Sequence, residues 1–421
     1  WEAVTQTPFS SDADEVSFQI AEYVDLAGNS SSEIPTTSDG NSNKIRIDTT
    51  APSVTEATIV SNNADTGYGK HDDTLTLTFT TSEPVRDVAD LEIEGLANLS
   101  VRSLNDGKTQ WEATGVVDED LVEAPQPGGG GGGSTAAFSI TVLDNAGNRG
   151  SPKTTTTDQT SVTLDTTAPT LSSVTLASSN AATNRAKSGD SLTLVFSSSE
   201  PIPVLTVTLA GTSVTATNAS GNGTDWQAVH TVDSSTPSDA VAFSTSFADA
   251  AGNTGTVEST TDSSSVAVDL EAPTLTKVEV ASSNANTQGR LEQLAKAGDT
   301  VTLTVASSEA LKSLSVGGGE GEEPTPLNPV GDSGLEWTLS RTVESGDSGE
   351  LTFTLNYEDL AGNDGVSVSN TTNNSKITFD TSAPTLSGIV LASTNANTEG
   401  QLEQLAKAGD TVTLTVASSE A

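Results

Sequence analysis

The chain has no cysteine and no methionine among its 421 residues. Without thiols it forms neither a disulfide framework nor a thiolate zinc or redox site, and sulfur chemistry gives an oxidising environment nothing to damage. Larger secreted domains fold on their cores without such staples, so the absence does not exclude the cell exterior. Aromatic residues make up only 4 %, and Lys plus Arg number 17 against 57 Asp plus Glu, a formal charge of -40. A surface of that sign repels nucleic acid and anionic lipid and attracts cations, divalent ones above all. No apolar run is long enough to cross a membrane, and no signal peptide opens the chain. The two histidines, His71 and His230, fall at unrelated positions, which excludes a recurring histidine metal site or a Ser-His-Asp triad.

What the chain does have is repetition. "IRIDTTAPSV" at Ile45 returns as "VTLDTTAPTL" at Val162, "VAVDLEAPTL" at Val266 and "ITFDTSAPTL" at Ile377. Aligned on the aspartate, the units begin at Asp48, Asp165, Asp269 and Asp380. Each is roughly a hundred residues, the size of an immunoglobulin-like sandwich and too long for a solenoid repeat. The expected division is 1–47 as the C-terminal part of a domain, whole domains at 48–164, 165–268 and 269–379, and 380–421 as the N-terminal part of another. The opening "WEAVTQT" matches "WEATGVV" at Trp111, and the closing "TVTLTVASSEA" matches Thr300 to Ala310, so the chain reads as a window on a longer array. Segment Ala281 to Ala310 is nearly identical to Ala392 to Ala421, the mark of recent duplication.

Within the unit from Asp165, period-two alternation and turn residues predict about seven short antiparallel strands and a two-sheet sandwich. They are A at Leu171 to Ser178, B at Ser191 to Ser197, C at Val204 to Ala210, D at Thr212 to Asn218, E at Asp225 to Val232, F at Val241 to Ala248 and G at Ser264 to Asp269. The one helix candidate is "LEQLAKAGD", Leu291 to Asp299 and again Leu402 to Asp410, ended by Gly between A and B. Two loops are enlarged, Asp118 to Ala136 with its run of glycines and Gly317 to Gly334. No Gly-Lys-Ser/Thr follows that run, so it is read as a floppy insertion and not a phosphate loop. Trp1, Trp111, Trp226 and Trp337 share one place in strand E, and Phe138, Phe243 and Phe353 one place early in F; both sets are read as core. The Asn-x-Ser/Thr sequons, among them Asn29, Asn98 and Asn218, are what a chain of this composition produces by chance.

Three acidic positions recur in register. The first is the linker Asp, at Asp48, Asp165, Asp269 and Asp380. The second is the Glu after strand B, at Glu83, Glu200, Glu309 and Glu420. The third is the Asp of D-x-A-G-N after strand F, at Asp25, Asp144, Asp249 and Asp359, followed by Asn29, Asn148, Asn253 and Asn363. In an antiparallel sandwich the linker before A, the loop after B and the loop after F share one pole, so three carboxylates converge at the junction with the preceding domain. Each such pair repels by about 1 kcal/mol at 4 Å in water, and more when partly buried. No recurrent Lys or Arg accompanies the triplet on the sequence, which makes a hard cation with oxygen ligands the natural partner. Calcium takes six to eight such oxygens. The Gly of the turn lets backbone carbonyls approach, and the Asn adds a neutral oxygen.

These motifs, "DTTAP", "GD-(S/T)-(L/V)-TL", "SEP" and "D-x-AGN", resemble the bacterial immunoglobulin-like repeats of very large surface adhesins over essentially the whole chain. The resemblance implies an all-β tandem array of seven-stranded immunoglobulin-like β-sandwiches, rod-like, forming an extracellular stalk with calcium at the domain junctions. Carried over by position, the sites are Asp48, Glu83 and Asp144; Asp165, Glu200 and Asp249; Asp269, Glu309 and Asp359; with Asp380 and Glu420 in the last unit. "DLEAP" departs from the pattern, because Glu271 adds a further carboxylate.

The expected function is therefore a secreted or cell-surface structural stalk that presents a binding region elsewhere, without nucleic-acid binding or membrane insertion. Enzymatic activity is not expected, because the carboxylates repeat once per domain where catalysis wants one cleft. Two alternatives stand beside it: a polymerising subunit of an extracellular filament whose domains pack against neighbouring copies, and a glycan- or protein-binding module acting through an enlarged loop such as Gly317 to Gly334.

Overall fold

The computed structural model describes residue 12 and residues 24–30, 45–118, 133–317, 324–396 and 405–420. Among these residues the regular structure is all strand, and no helix is long and apolar enough to cross a membrane. The chain divides into two compact units. One holds Trp1–Ala177, Ser191–Thr231 and Ala240–Val266; the other holds Ser178–Asp190, Val232–Asp239 and Ala267–Ala421.

In the first unit, strands Val54–Ser61, Thr74–Thr81, Gln110–Val117 and Leu96–Ser103 hydrogen-bond in that order, which is A-B-E-D. Across the core, C at Val85–Ile93 pairs with F at Phe138–Asp144. Strand B shows why the sheet is two-faced: in TLTLTFTT, Leu75, Leu77 and Phe79 are buried while the threonines between them are not. Tyr68–Gly69, between A and B, pairs parallel with Thr163–Leu164, which carries the chain towards the linker. The core gathers Ile59, Trp111, Ile140, Val142 and Leu164 around those residues, with Phe79 and Trp111 rings stacked 6.4 Å apart.

The same unit holds two further four-stranded sheets. One runs Leu171–Ser178, Ser191–Ser198, Asp225–Thr231, Ala216–Asn218; the other runs Thr212–Val214, Val204–Leu209, Phe243–Ala248, Thr254–Val257. Strands A, B, C, E and F stand where the alternation put them, but D and G differ. The run read as D is two strands: Thr212–Val214 pairs with C, and Ala216–Asn218 crosses to pair with E in the other sheet. Its residues alternate only between exposed and half-buried, so no apolar face holds the run to one sheet. Strand G is reached sooner than expected. Thr254–Val257, immediately after the D-x-A-G-N turn, pairs antiparallel with F. It carries one large apolar residue in four, which is why its alternation escaped notice.

In the second unit, Leu275–Ser282, Thr300–Ser307, Glu336–Thr342 and Asn328–Pro329 form one sheet, and Thr325–Pro326, Leu311–Gly317 and Thr354–Asp359 the other. Val278, Val305, Leu314, Trp337 and Leu355 lie in the core between them. Of the enlarged loop Gly317 to Gly334, residues 318–323 lie outside the described residues; the rest supplies two short edge strands pinned by buried Leu327. The glycine run of Asp118 to Ala136 lies mostly outside them, as does Trp1. Also in this unit, Arg185–Ala186 pairs parallel with Ala267–Val268, the part of the run read as G that forms a strand. Trp111 and Trp337 are core as expected, whereas Trp226 is half-buried, and each donates its Nε1 hydrogen to a backbone carbonyl three residues back.

The helix expectation is overturned. Glu292–Ala295 is a strand paired parallel with Lys376–Phe379, with Gln293 and Ala295 buried and Glu292 and Leu294 outward. The L-E-Q-L spacing suits a helix, but so short a segment cannot repay helix nucleation, and the neighbouring strand supplies partners for its backbone. In the copy at Leu402 to Asp410, residues 402–404 lie outside the described residues and 405–410 contain no helix.

Candidate metal centres

The three acidic positions meet. In Asp48, Glu83 and Asp144, in Asp165, Glu200 and Asp249, and in Asp269, Glu309 and Asp359, one carboxylate oxygen of each residue lies within 4.8 Å of the other two. Four local devices bring this about, and each is legible in the residues.

The linker is fixed by its own turn. Asp48, Asp165 and Asp269 each accept through Oδ1 from the amide two residues on, at 3.2, 3.2 and 3.1 Å. Their backbones continue the short parallel pairing: the Asp165 amide donates to Gly69 O, Asp269 to Ala186 O and Asp380 to Ala295 O, all at 2.9 Å. In the first linker Asp12 adds an acid that no repeat announced. Its carboxylate accepts from the Thr49 and Thr50 hydroxyls and the Thr49 amide, which lowers its pKa to about 2.

The loop after strand B is stapled to that linker. Ser82, Ser199, Ser308 and Ser419, each directly before the cluster Glu, accept through Oγ from the residue after the linker proline, at 3.0, 3.0, 3.0 and 2.9 Å. The residue two before the Glu donates its hydroxyl to the Glu carbonyl, as Thr81 to Glu83 at 2.7 Å and Ser307 to Glu309 at 2.5 Å.

The loop after strand F is a tight hairpin. Asp249 Oδ1 accepts from the Asn253 amide at 2.9 Å, and the Asp249 amide donates to the Asn253 carbonyl at 3.2 Å. Gly252 at its centre has φ +86, a conformation that strains any residue with a Cβ. The Asn side chain is held by the same turn. Its amide nitrogen, and not its oxygen, faces the cluster: Asn253 Nδ2 donates to Asp249 Oδ2 at 2.8 Å and to the linker carbonyl of Asp165 at 2.9 Å. Asn148 and Asn363 do the same for Asp144 and Asp48, and for Asp359 and Asp269. These asparagines position the carboxylate.

The fourth device was missed. A lysine does recur with the triplet: Lys70, Lys187, Lys296 and Lys407 each stand three residues before an Asp in the A–B loop. That Asp accepts from the lysine amide: Asp73 at 2.9 Å, Asp190 at 2.8 Å, Asp299 at 2.9 Å and Asp410 at 2.8 Å. In the first unit the Lys70 ammonium donates to Gly252 O at 2.9 Å and Asn63 Nδ2 to Ala251 O at 2.9 Å, so this loop clasps the next module's D-x-A-G-N turn. In the second unit Lys187 donates to Gly362 O and Asn180 to Ala361 O, the latter at 2.8 Å. Asn63 with Asn180 and Lys70 with Lys187 stand in register on the sequence. The turn motif also extends to D-x-A-G-N-x-G in the three complete units. A Cβ on Gly150 would overlap the Pro52 carbonyl, and one on Gly255 or Gly365 the Phe247 or Tyr357 ring.

Burial pushes the Glu83 carboxyl up, and Asp48, Asp144 and Asp12 push it further. Glu309 is raised in the same way by burial, then by Asp269, Asp359 and Glu271. Burial also acts upward on Asp144, but donors on Asn148, Gly147 and Ala146 outweigh it and its carboxyl sits below the ordinary value. Each cluster is thus an oxygen-only donor set, and at Glu83 and Glu309 the neighbouring carboxylates press on the glutamate. Calcium binds oxygen at 2.3–2.6 Å, so ligands on one ion lie no more than about 5 Å apart, and the clusters fit that limit. At the first cluster, Arg46 lines the same open cleft as Asp12, Asp48 and Glu83. Asp380 and Glu420 lie on a linker and loop joined by the same Ser419 staple, but neither they nor Asp25 belong to a three-carboxylate group among the described residues.

No protein-family model matches the chain, and no curated protein matches it. Among solved structures, an I-band fragment of titin aligns at 12 % identity over 79 % of this chain and 99 % of its own, with a TM-score of 0.35. A structure titled for host cell surface retention of a 1.5-MDa bacterial ice-binding adhesin aligns at 16 % identity over 77 % of this chain and 98 % of its own, also with a TM-score of 0.35. The full ectodomain of mouse nectin-like molecule 4 aligns at 12 % identity over 75 % and 98 %, with a TM-score of 0.24. The chain is a tandem array of immunoglobulin-like β-sandwiches, an assignment that rests on its A-B-E-D and C-F strand pairings.

Proposed function

We propose that this chain is a stalk segment of an extracellular or cell-surface adhesin, a rod of tandem sandwiches stiffened by calcium at the module junctions and presenting a binding region located elsewhere. The observation that carries this reading is the meeting of three carboxylates, from points far apart in the chain, beside three successive linkers. The linkers at Asp165, Asp269 and Asp380 have little slack, because the Asp amide donates to Gly69, Ala186 or Ala295 on the short strand between A and B of the preceding module, and the linker proline restricts the backbone. An ion shared by the linker Asp, the B–C loop Glu and the F–G turn Asp ties the linker to both loops and removes the remaining freedom of the joint.

The adhesin part of the proposal is supported by the motif resemblance, and the acidic surface suits a calcium-rich exterior. Extracellular calcium modules have dissociation constants of about 0.1–1 mM, and a hundredfold excess of ion adds about 2.7 kcal/mol to the bound form. The test is chelation. Removing calcium is expected to lower the melting temperature and widen the distribution of interdomain angles in small-angle scattering, and Asp165→Ala is expected to do both at one junction only. A chelated protein unchanged in both respects would rule the calcium joint out.

A further inference from the structure

In the first unit the linker and the clasp close on each other. The Asp165 amide donates to Gly69 O, and the Asp165 carbonyl accepts from Asn253 Nδ2. The Gly252 carbonyl, next to that asparagine, accepts from the ammonium of Lys70, the residue after Gly69. The bonds thus form a ring that runs from the short strand Tyr68–Gly69 through the linker to the next module's D-x-A-G-N turn and back. The second unit repeats it: the Asp269 amide donates to Ala186 O, Asn363 Nδ2 to Asp269 O at 3.1 Å, and the Lys187 ammonium to Gly362 O. Every acceptor in these rings is a backbone carbonyl, so each ring closes without an ion.

A single carboxylate builds the clasp. Asp73 Oδ2 accepts from the Lys70 amide at 2.9 Å and from Asn63 Nδ2 at 2.6 Å, which sets side by side the two donors that reach Gly252 O and Ala251 O. Asp190 Oδ2 does the same for Lys187 and Asn180, both at 2.8 Å. The seat is close: a Cβ on Gly252 would lie 3.4 Å from the Lys70 ammonium nitrogen, and one on Gly362 3.5 Å from that of Lys187. Two of the three candidate calcium ligands are tied to the first ring. Asp165 is a member of it, and Asp249 is held by its Asn253; Glu200 stands outside.

We propose that Lys70 is a positioning residue of its junction, closing a metal-free lock that limits how far the joint opens without an ion and sets Asp165 and Asp249 in place before one binds. The second half of this inference rests on the calcium reading; the lock does not. An ion that meets ligands already ordered costs less conformational freedom on binding, so the module before a junction tunes the affinity of the site that follows it. Charge alone gives the opposite sign, because an ammonium beside the site repels a divalent ion. Position and charge are therefore separable.

Small-angle scattering of the full chain in chelator tests the lock. Lys70→Met is expected to widen the distribution of interdomain angles beyond that of chelated wild type, Lys70→Arg to restore part of the loss, and Lys277→Met, which removes the same charge from a surface pair with Glu279, to change nothing. Calcium titration followed at the amide resonances of Ala251 and Gly252 tests the positioning. Lys70→Met removes a positive charge and Asp73→Ala a negative one, yet both are expected to weaken binding there by about tenfold and to leave Ala361 and Gly362 unaffected. Chelated Lys70→Met that scatters as chelated wild type does overturns the lock. Affinities that move in opposite directions in the two variants overturn the positioning in favour of charge. Wider angles in chelated Lys70→Met together with no calcium response at any turn would uphold the lock and remove the calcium reading alone.

Discussion

Asn253 joins two places 88 residues apart: one amide nitrogen donates to the carboxylate of Asp249 and to the backbone carbonyl of Asp165. The turn after strand F is thereby fastened to the linker before strand A. Asn253→Ala removes the one donor shared by the Asp249 carboxylate and the Asp165 carbonyl, which is expected to cost about 1–3 kcal/mol. Hydrogen exchange of Thr254–Val257 should accelerate with it. Asn29→Ala is the control, because Asn29 bonds only Asp25 among the described residues, and its effect should be the smaller.

Two glycines of the first turn should respond for different reasons. Gly147 has φ +98 with open space where a Cβ would go, so Gly147→Ala isolates backbone strain and is expected to cost about 1–2 kcal/mol. At Gly150 the backbone is ordinary, but an added Cβ would overlap the carbonyl of Pro52 in the linker. Gly150→Ala should therefore cost more and displace the linker, visible as a shift in the amide resonances of Thr50 and Ser53. Equal effects at the two positions would contradict this division.

The strand alternation and the poles it implied were legible because large apolar residues at period two fix strands A, B, C, E and F, and an antiparallel sandwich then decides which loops are neighbours. Convergence of Asp165, Glu200 and Asp249 followed from topology alone. What the sequence hid lacks a large apolar face. Thr212–Val214 and Ala216–Asn218 belong to different sheets although they read as one run, and Thr254–Val257 owes its place to the turn before it. The Lys70 and Asn63 clasp was hidden differently: their neighbours in the chain are unremarkable, and their partners are carbonyls that no side-chain pattern reports.

Glu309→Gln should change sign with calcium. Without the ion, burial and the charges of Asp269, Asp359 and Glu271 press on Glu309, so neutralising it is expected to stabilise the module. With calcium the same change removes a charged ligand, and affinity is expected to fall by about tenfold. The pH dependence follows from the raised pKa. The folded state binds this proton more tightly than the unfolded chain, so the stabilisation is fully present below the ordinary glutamate value and is lost as pH rises through the raised one. Chelated wild-type protein should accordingly gain stability from this group as pH falls from neutral towards the ordinary glutamate value, and Glu309→Gln should remove that part of the slope. Thermal melts at two pH values, with and without calcium, check both signs.

Gln293 separates the strand from the helix that its neighbours suggest. Its side chain is buried in the third module, where Oε1 accepts from the Ser282 amide at 2.7 Å and Nε2 donates to the Arg290 carbonyl at 2.8 Å. On a short amphipathic helix from Leu291, the Gln would lie on the polar side, and Leu in its place would change stability by less than about 0.5 kcal/mol, as surface substitutions do. In the strand Glu292–Ala295 the side chain points inward and completes two backbone hydrogen bonds that nothing else among the described residues supplies. Gln293→Leu leaves an amide and a carbonyl without partners and is expected to destabilise the module by about 2–4 kcal/mol. Gln293→Glu keeps an acceptor for Ser282 but sets a carboxylate against the Arg290 carbonyl, so it should restore little of the loss near neutral pH and more on acidification, when the protonated carboxyl again donates. Denaturant unfolding at two pH values measures both variants, and a neutral Gln293→Leu would return the segment to the helix.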